Sequence, residues 1–261
     1  MMKAKIVYTL ILALALLPLL LLSSRAHAAT WTIETVDSAG DVGWDTSLAF
    51  DPSGNPAISY YDNTNGHLKF ARWTGAAWSM ETVDSTGWVG WCTSLAFDPS
   101  GNPAISYRAD WPNYDLKLAR WTGAAWSIET VDSAGDVGEH TSLAFDPSGN
   151  PAISYLDWTN WDLKFARWMG AAWSIETVDS VGDVGESTSL AFDPSGNPAI
   201  SYLDETNYDL KYASPNQAPA PQEEEGEGGL AAGAIAGIAI GACAAAGLIA
   251  YFVIRRRRAA G

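Results

Sequence analysis

Ten side chains of a chemically useful kind fall in the few stretches where an otherwise repetitive chain varies: Trp44, Asp45, Trp88, Trp91, Trp111, Tyr114, His140, Trp158, Trp161 and Tyr208. Indole and phenol rings beside carboxylates and amides stack on sugar rings and bond hydroxyls, or hold a peptide or a cation. Catalysis has less to stand on. His67 and His140 occupy different repeat positions and lack a matching nucleophile. Cys92 is alone at its position, where the other copies carry Asp45, His140 and Ser187. Near-identical units do not readily build one asymmetric active site. They build several similar weak sites, and multivalency then supplies avidity. No cofactor is expected. Calcium is a lesser alternative, because carboxylates are plentiful but the Asp-x-Asp-x-Asp-Gly spacing is absent.

These residues are carried by a repeat. A near-identical unit starts at Trp31, Trp78, Trp126 and Trp173, at spacings of 47, 48 and 47 residues. Periods of this length mark solenoids, propellers or arrays. Residues 46–50 (A) and 57–61 (B) read as short strands joined by the turn Asp51-Pro-Ser-Gly-Asn-Pro56. Residues 68–73 (C) and 78–83 (D) read as strands joined by Thr74-Gly-Ala-Ala77. Prolines fall in turns and at strand starts, where they remove no ladder donor. The expected fold is all-β: a β-propeller of four four-stranded blades. The first copy begins with a D strand, residues 31–36, and the last ends with a C strand, residues 210–213. Pairing of those two strands is expected to close the ring and remove its open edges. An eight-bladed ring made by two chains is the runner-up.

The stretch Leu-Ala-Phe-Asp-Pro-Ser-Gly-Asn-Pro-Ala-Ile-Ser-Tyr, followed by Leu-Lys-Phe-Ala-Arg-Trp, resembles repeats of secreted and surface β-propellers of bacteria and archaea, the sialidase-like group. The resemblance covers residues 31–213 and implies a propeller fold without implying catalysis. Sialidases use three arginines, a tyrosine nucleophile and acids, each unique in the ring. Here Arg72, Arg120 and Arg167 are one repeat position in three copies, and Ser-x-Asp-x-Gly-x-Thr-Trp is not matched.

The copies differ unevenly. The A–B turn is identical four times, and the C–D turn changes once, at Met169. Before strand A the pairs are Trp44-Asp45, Trp91-Cys92, Glu139-His140 and Glu186-Ser187. After strand B the loops begin at Tyr61, Arg108, Leu156 and Leu203. In an up-and-down blade the D–A and B–C connections emerge on one face, so the variation marks one face, as expected of a binding surface on a fixed support. Neutral drift in loops is the competing explanation. The repeated tryptophans, Trp73 and Trp78 in the first copy, are expected to pack blades, and the Asp51-type residues to cap their own turns.

Residues 1–28 read as a secretory signal peptide: Lys3 and Lys5, an apolar run, then Ala26-His27-Ala28. Residues 29–213 are the propeller. Residues 214–229 form an acidic, proline-bearing spacer. Residues 230–254 are uncharged and long enough to span a bilayer, and residues 255–261 carry four arginines expected to stay cytoplasmic. Gly233, Gly237 and Gly241 form a small-residue face suited to a homodimer of such helices. A sorting-type signal replaced by another anchor is the alternative for this end. Seven of the fifteen basic residues lie at the two ends, leaving eight against thirty acidic side chains, a net charge of about −22. That excludes a nucleic-acid binder, which needs a basic face. The expected protein is a single-pass, cell-surface adhesion or binding module. Its partner is expected to be an extracellular glycan or polymer, with a protein next, and a glycoside hydrolase is the alternative.

Overall fold

Residues 31–215 are described in a computed structural model. The expected signal peptide, the spanning segment, the basic tail and most of the spacer lie outside those residues. No helix among the described residues is long and apolar enough to cross a membrane.

Fifteen strands form four antiparallel sheets, each a meander in chain order. Sheet one holds β1 (Val42–Phe50), β2 (Pro56–Asp62), β3 (His67–Trp73) and β4 (Trp78–Asp84). Sheet two holds β5 (Val89–Phe97), β6 (Pro103–Ala109), β7 (Leu116–Trp121) and β8 (Trp126–Asp132). Sheet three holds β9 (Val137–Phe145), β10 (Pro151–Asp157), β11 (Asp162–Trp168) and β12 (Trp173–Asp179). Sheet four has three strands, β13 (Val184–Phe192), β14 (Pro198–Asp204) and β15 (Asp209–Ala213). These are propeller blades built on the repeat.

The turns form as their residues dictate. The Asp51 carboxylate accepts the backbone N–H groups of Ser53 and Asn55, and Asp98, Asp146 and Asp193 do the same in their copies. Arg72 and Arg167 add charged bonds to Asp51 and Asp146, each at 2.8 Å. The C–D hairpins are held by edge-to-face pairs, Trp73–Trp78, Trp121–Trp126 and Trp168–Trp173.

The core lies between blades. At the first junction Leu68 and Phe70 meet Leu95, Ile105 and Tyr107. At the second, Leu116 and Leu118 meet Leu143, Ile153 and Tyr155, and at the third, Leu163 and Phe165 meet Leu190, Ile200 and Tyr202. Each such side chain contributes about 1.5–3 kcal/mol on burial. Hydroxyl pairs repeat beside them: Ser59–Thr93, Ser106–Thr141 and Ser154–Thr188, at 2.6–2.8 Å. Gly90 is needed twice over. Its φ is +108°, and a Cβ there would sit 2.8 Å from the Leu68 Cα.

Two expectations are corrected. Residues 31–36 do not form a strand and do not pair with β15, so the four blades make an open arc rather than a ring closed by its ends. The segment and the adjoining Asp37 bond to blade one instead, where Glu34 accepts from Trp78 and Asp37 from Tyr60. The apolar faces at the ends of the arc stay uncovered, with Leu48 60% and Leu210 85% exposed. The first strand of each blade also begins earlier than expected. Val42 already pairs with Asp62 and Trp44 with Tyr61, so Trp44-Asp45 and its counterparts lie on the strand, between two register shifts.

Candidate functional site

The D–A and B–C connections bond to each other in every blade. Asn63 N–H reaches the Asp41 carbonyl, Asp110 that of Trp88, Trp158 that of Asp136 and Glu205 that of Asp183. The stretches that vary between copies therefore share one end of the arc.

The bulge residues Asp45, Cys92, His140 and Ser187 all have φ between 47° and 51°. At two of them the carbonyl faces the next blade, where Thr93 donates to Asp45 O and Thr141 to Cys92 O, each at 2.8 Å. The backbone here is structural, while the side chain changes freely. A second left-handed position closes each B–C loop: Gly66, Tyr114, Trp161 and Tyr208, the last three at φ 54° to 60°. A bulky aromatic at positive φ is an outlier and costs on the order of 1–3 kcal/mol. Three copies accept that cost where the first uses glycine.

Trp158 and Trp161 are brought together, ring centroids 4.3 Å apart and both more than a third exposed. Trp111 and Tyr208 stand exposed on their loops. Trp44 is exposed and donates from Nε1 to Asp41 at 2.8 Å. Trp88 lies against Gly66, where a Cβ would come within 3.0 Å of its ring. Trp91 turns inward and packs on Tyr61 at 4.6 Å. Tyr114 lies under the Arg108 guanidinium at 5.1 Å. His140 is half-buried, and Asp45 is exposed. The ten residues therefore divide into outward rings and an inner layer.

That inner layer includes residues not picked from sequence. Trp44 pairs across strands with Tyr61, Trp91 with Arg108, Glu139 with Leu156 and Glu186 with Leu203. The two variable positions are thus neighbours in one sheet, and each also meets the next blade. Tyr61 stacks on Trp91, and Arg108 binds Glu139 at 2.6 Å and Asp136 at 2.8 Å. The signal was present in sequence as two sets of differences, but only the register joins them.

The Tyr61 hydroxyl, Trp91 Nε1, Arg108 Nε and Asp183 Oδ1 are buried without a partner among the described residues. All four lie at this end. Burial, followed by the neighbouring Glu205, raises the Glu186 carboxyl above the ordinary range. Asp183 is raised for the same reasons. Burial pushes the Cys92 thiol up to about 11, so it is no thiolate nucleophile. Among the described residues no three His, Cys, Asp or Glu side chains group to hold a metal ion.

No protein-family model and no curated protein matches the sequence. Among solved structures, a Dyadobacter fermentans protein of unknown function aligns at 14% identity, over 71% of this chain and 64% of that one, with a TM-score of 0.53. This likeness supports the fold alone, and the chain spans less than two thirds of that protein's length. A fucose lectin from Kordia zhangzhouensis aligns at 19% identity over 50% of this chain and 96% of its own, TM-score 0.39. The six-bladed β-propeller lectin of Aleuria aurantia aligns at 13% identity over 65% and 56%, TM-score 0.43. At these scores the two lectin alignments carry no functional weight.

Proposed function

We propose that the chain is a cell-surface binding module that recognises an extracellular glycan or polymer through the loop end of its blades, without catalysis. The observation that carries this reading is the Trp158–Trp161 pair. Two indoles 4.3 Å apart stand open to solvent, one of them at an unfavourable φ of 60°. Packing does not require them there, since the core of the blade lies on its inner faces. A sugar ring fits against such a surface by stacking, and the exposed Asn160 side-chain oxygen beside the rings can accept from a hydroxyl. Surface anchoring is part of the same proposal and is supported by the expected signal peptide and spanning segment.

The test is binding of the full chain, in detergent, to an array of glycans and polysaccharides. Trp158→Ala with Trp161→Ala is expected to weaken any hit by at least about tenfold. Retained binding in the double variant would sink the site. Hits confined to proteins would favour a protein-interaction role instead.

One observation favours glycoside hydrolysis as a second reading. A carboxyl raised by burial and a neighbouring acid, as at Glu186 beside Glu205, is what a general acid requires. Turnover of aryl glycosides abolished by Glu186→Gln would establish it, and absence of turnover across the panel would remove it.

A further inference from the structure

The two ends of the arc are the two halves of one junction. At each internal junction a glycine on the first strand of one blade approaches a leucine of the blade before it. A Cβ on Gly90, Gly138 or Gly185 would meet the Cα of Leu68, Leu116 or Leu163 at 2.8–3.0 Å. Gly43 is the fourth such glycine, and a Cβ there would meet nothing within 4 Å. The fourth leucine is Leu210, 85% exposed. Ser59, Ser106 and Ser154 each bond a threonine of the next blade. The fourth serine is Ser201, and the threonine left over is the exposed Thr46.

The outer strands tell the same story. Trp126 packs on Phe70 at 5.4 Å, and Trp173 joins the core around Leu118. The equivalent Phe165 lies in a cavity of about 300 Å³ beside Val178, Ile200 and Ala213. Sheet four lacks its outer strand there. The one outer-strand segment without a sheet is residues 31–36, whose Trp31 and Ile33 are 90% and 93% exposed. Asp37, which follows this segment, already contacts blade one as the end of an outer strand contacts the blade that follows it. Asp37 accepts from Tyr60 at 2.6 Å, as Asp84 accepts from Tyr107 and Asp132 from Tyr155 at 2.7 Å.

We infer that a second copy of this chain docks head to tail on the first, the exposed face of β15 in one copy meeting β1 and residues 31–36 of the other, so that two four-blade arcs close one eight-blade ring. Leu210 then lies against the other copy's Gly43, Ser201 bonds its Thr46, and its Trp31 fills the cavity over Phe165. Residues 31–36 supply the missing fourth strand of sheet four. The contact continues an interface the fold already uses three times. Eight blades fall within the known propeller range. A head-to-tail interface either closes or grows into filaments, and closure at two copies satisfies every open face.

The full chain carrying Thr46→Cys and Ser201→Cys is oxidised mildly and run on a non-reducing gel. The control carries Ser59→Cys and Thr93→Cys, whose native hydroxyls lie 2.7 Å apart at an internal junction. A covalent dimer is expected from the first and a linked monomer from the control. Adding Leu210→Asp, which the fold of one copy tolerates because the side chain is exposed, is expected to cut the dimer at least about tenfold. A cross-link confined to one chain would mean a four-blade ring and overturn the inference. So would a ladder beyond the dimer, or no cross-link where the control forms its own.

Discussion

Asp132 shows how one carboxylate ties two blades. It accepts from the Tyr155 hydroxyl at 2.7 Å and from Lys164 at 3.4 Å, both on the following blade. Burial works to raise its pKa, but Tyr155, the Ala134 N–H and Lys164 outweigh it and leave the group below the ordinary value. A depressed carboxylate stabilises the fold above its unfolded pKa near 4, and that contribution is lost as pH falls through the folded value. Asp132→Asn is expected to cost about 2 kcal/mol at pH 7, with the difference from the parent shrinking toward pH 3, measured by urea unfolding at each pH. Glu186 has the opposite sign. Its raised carboxyl means that ionisation costs the fold more than it costs the unfolded chain, so Glu186→Gln is expected to raise the thermal midpoint at pH 7 and to leave it unchanged near pH 4. The aromatic rings of the site were legible in sequence because they break the repeat. Tyr61, Arg108 and Glu186 stood out only as differences between copies, because their contacts come from strand register and from neighbouring residues in space, neither of which a linear reading contains.

At the scale of the element, the strands read well wherever a turn fixed them. The Asp51-type and Thr74-type turns have side chains that bond their own backbone, so β1 and β3 end, and β2 and β4 start, where local chemistry says. The start of β1 was not legible. Its bulge depends on a carbonyl accepting from Thr93, 48 residues away. Junction packing gives a graded test along the arc. Ile105 is fully buried between blades, whereas Ile58, its counterpart on the open face of blade one, is only half-buried. Ile105→Ala is expected to cost about 3 kcal/mol, and Ile58→Ala less than half of that under conditions where the chain is monomeric, by denaturant midpoints. Equal costs would mean that the open face is covered.

For the whole molecule, charge and curvature matter most. An acidic excess of about 22 charges on the middle of the chain works against compaction. Raising sodium chloride from 20 to 500 mM is expected to lift the thermal midpoint by several degrees, since screening shortens to a few ångströms. A falling midpoint would show that the interblade ion pairs dominate instead. Closure was the feature least legible in sequence. The phase of the repeat does show which strand each end lacks. It does not show how far the chain turns at each junction, because that angle comes from side chains packing in three dimensions.

The Gly–Leu approach and the Ser–Thr bond recur unchanged from blade to blade, and these contacts carry no mark of a junction's position. Nothing in such a junction counts blades. A gene that gained or lost one 47-residue unit by unequal recombination would still encode compatible neighbours, and its product would still present the same head and the same tail. Ring size in this architecture is therefore open to change in a single genetic event, while the varied loop residues record which unit came from which.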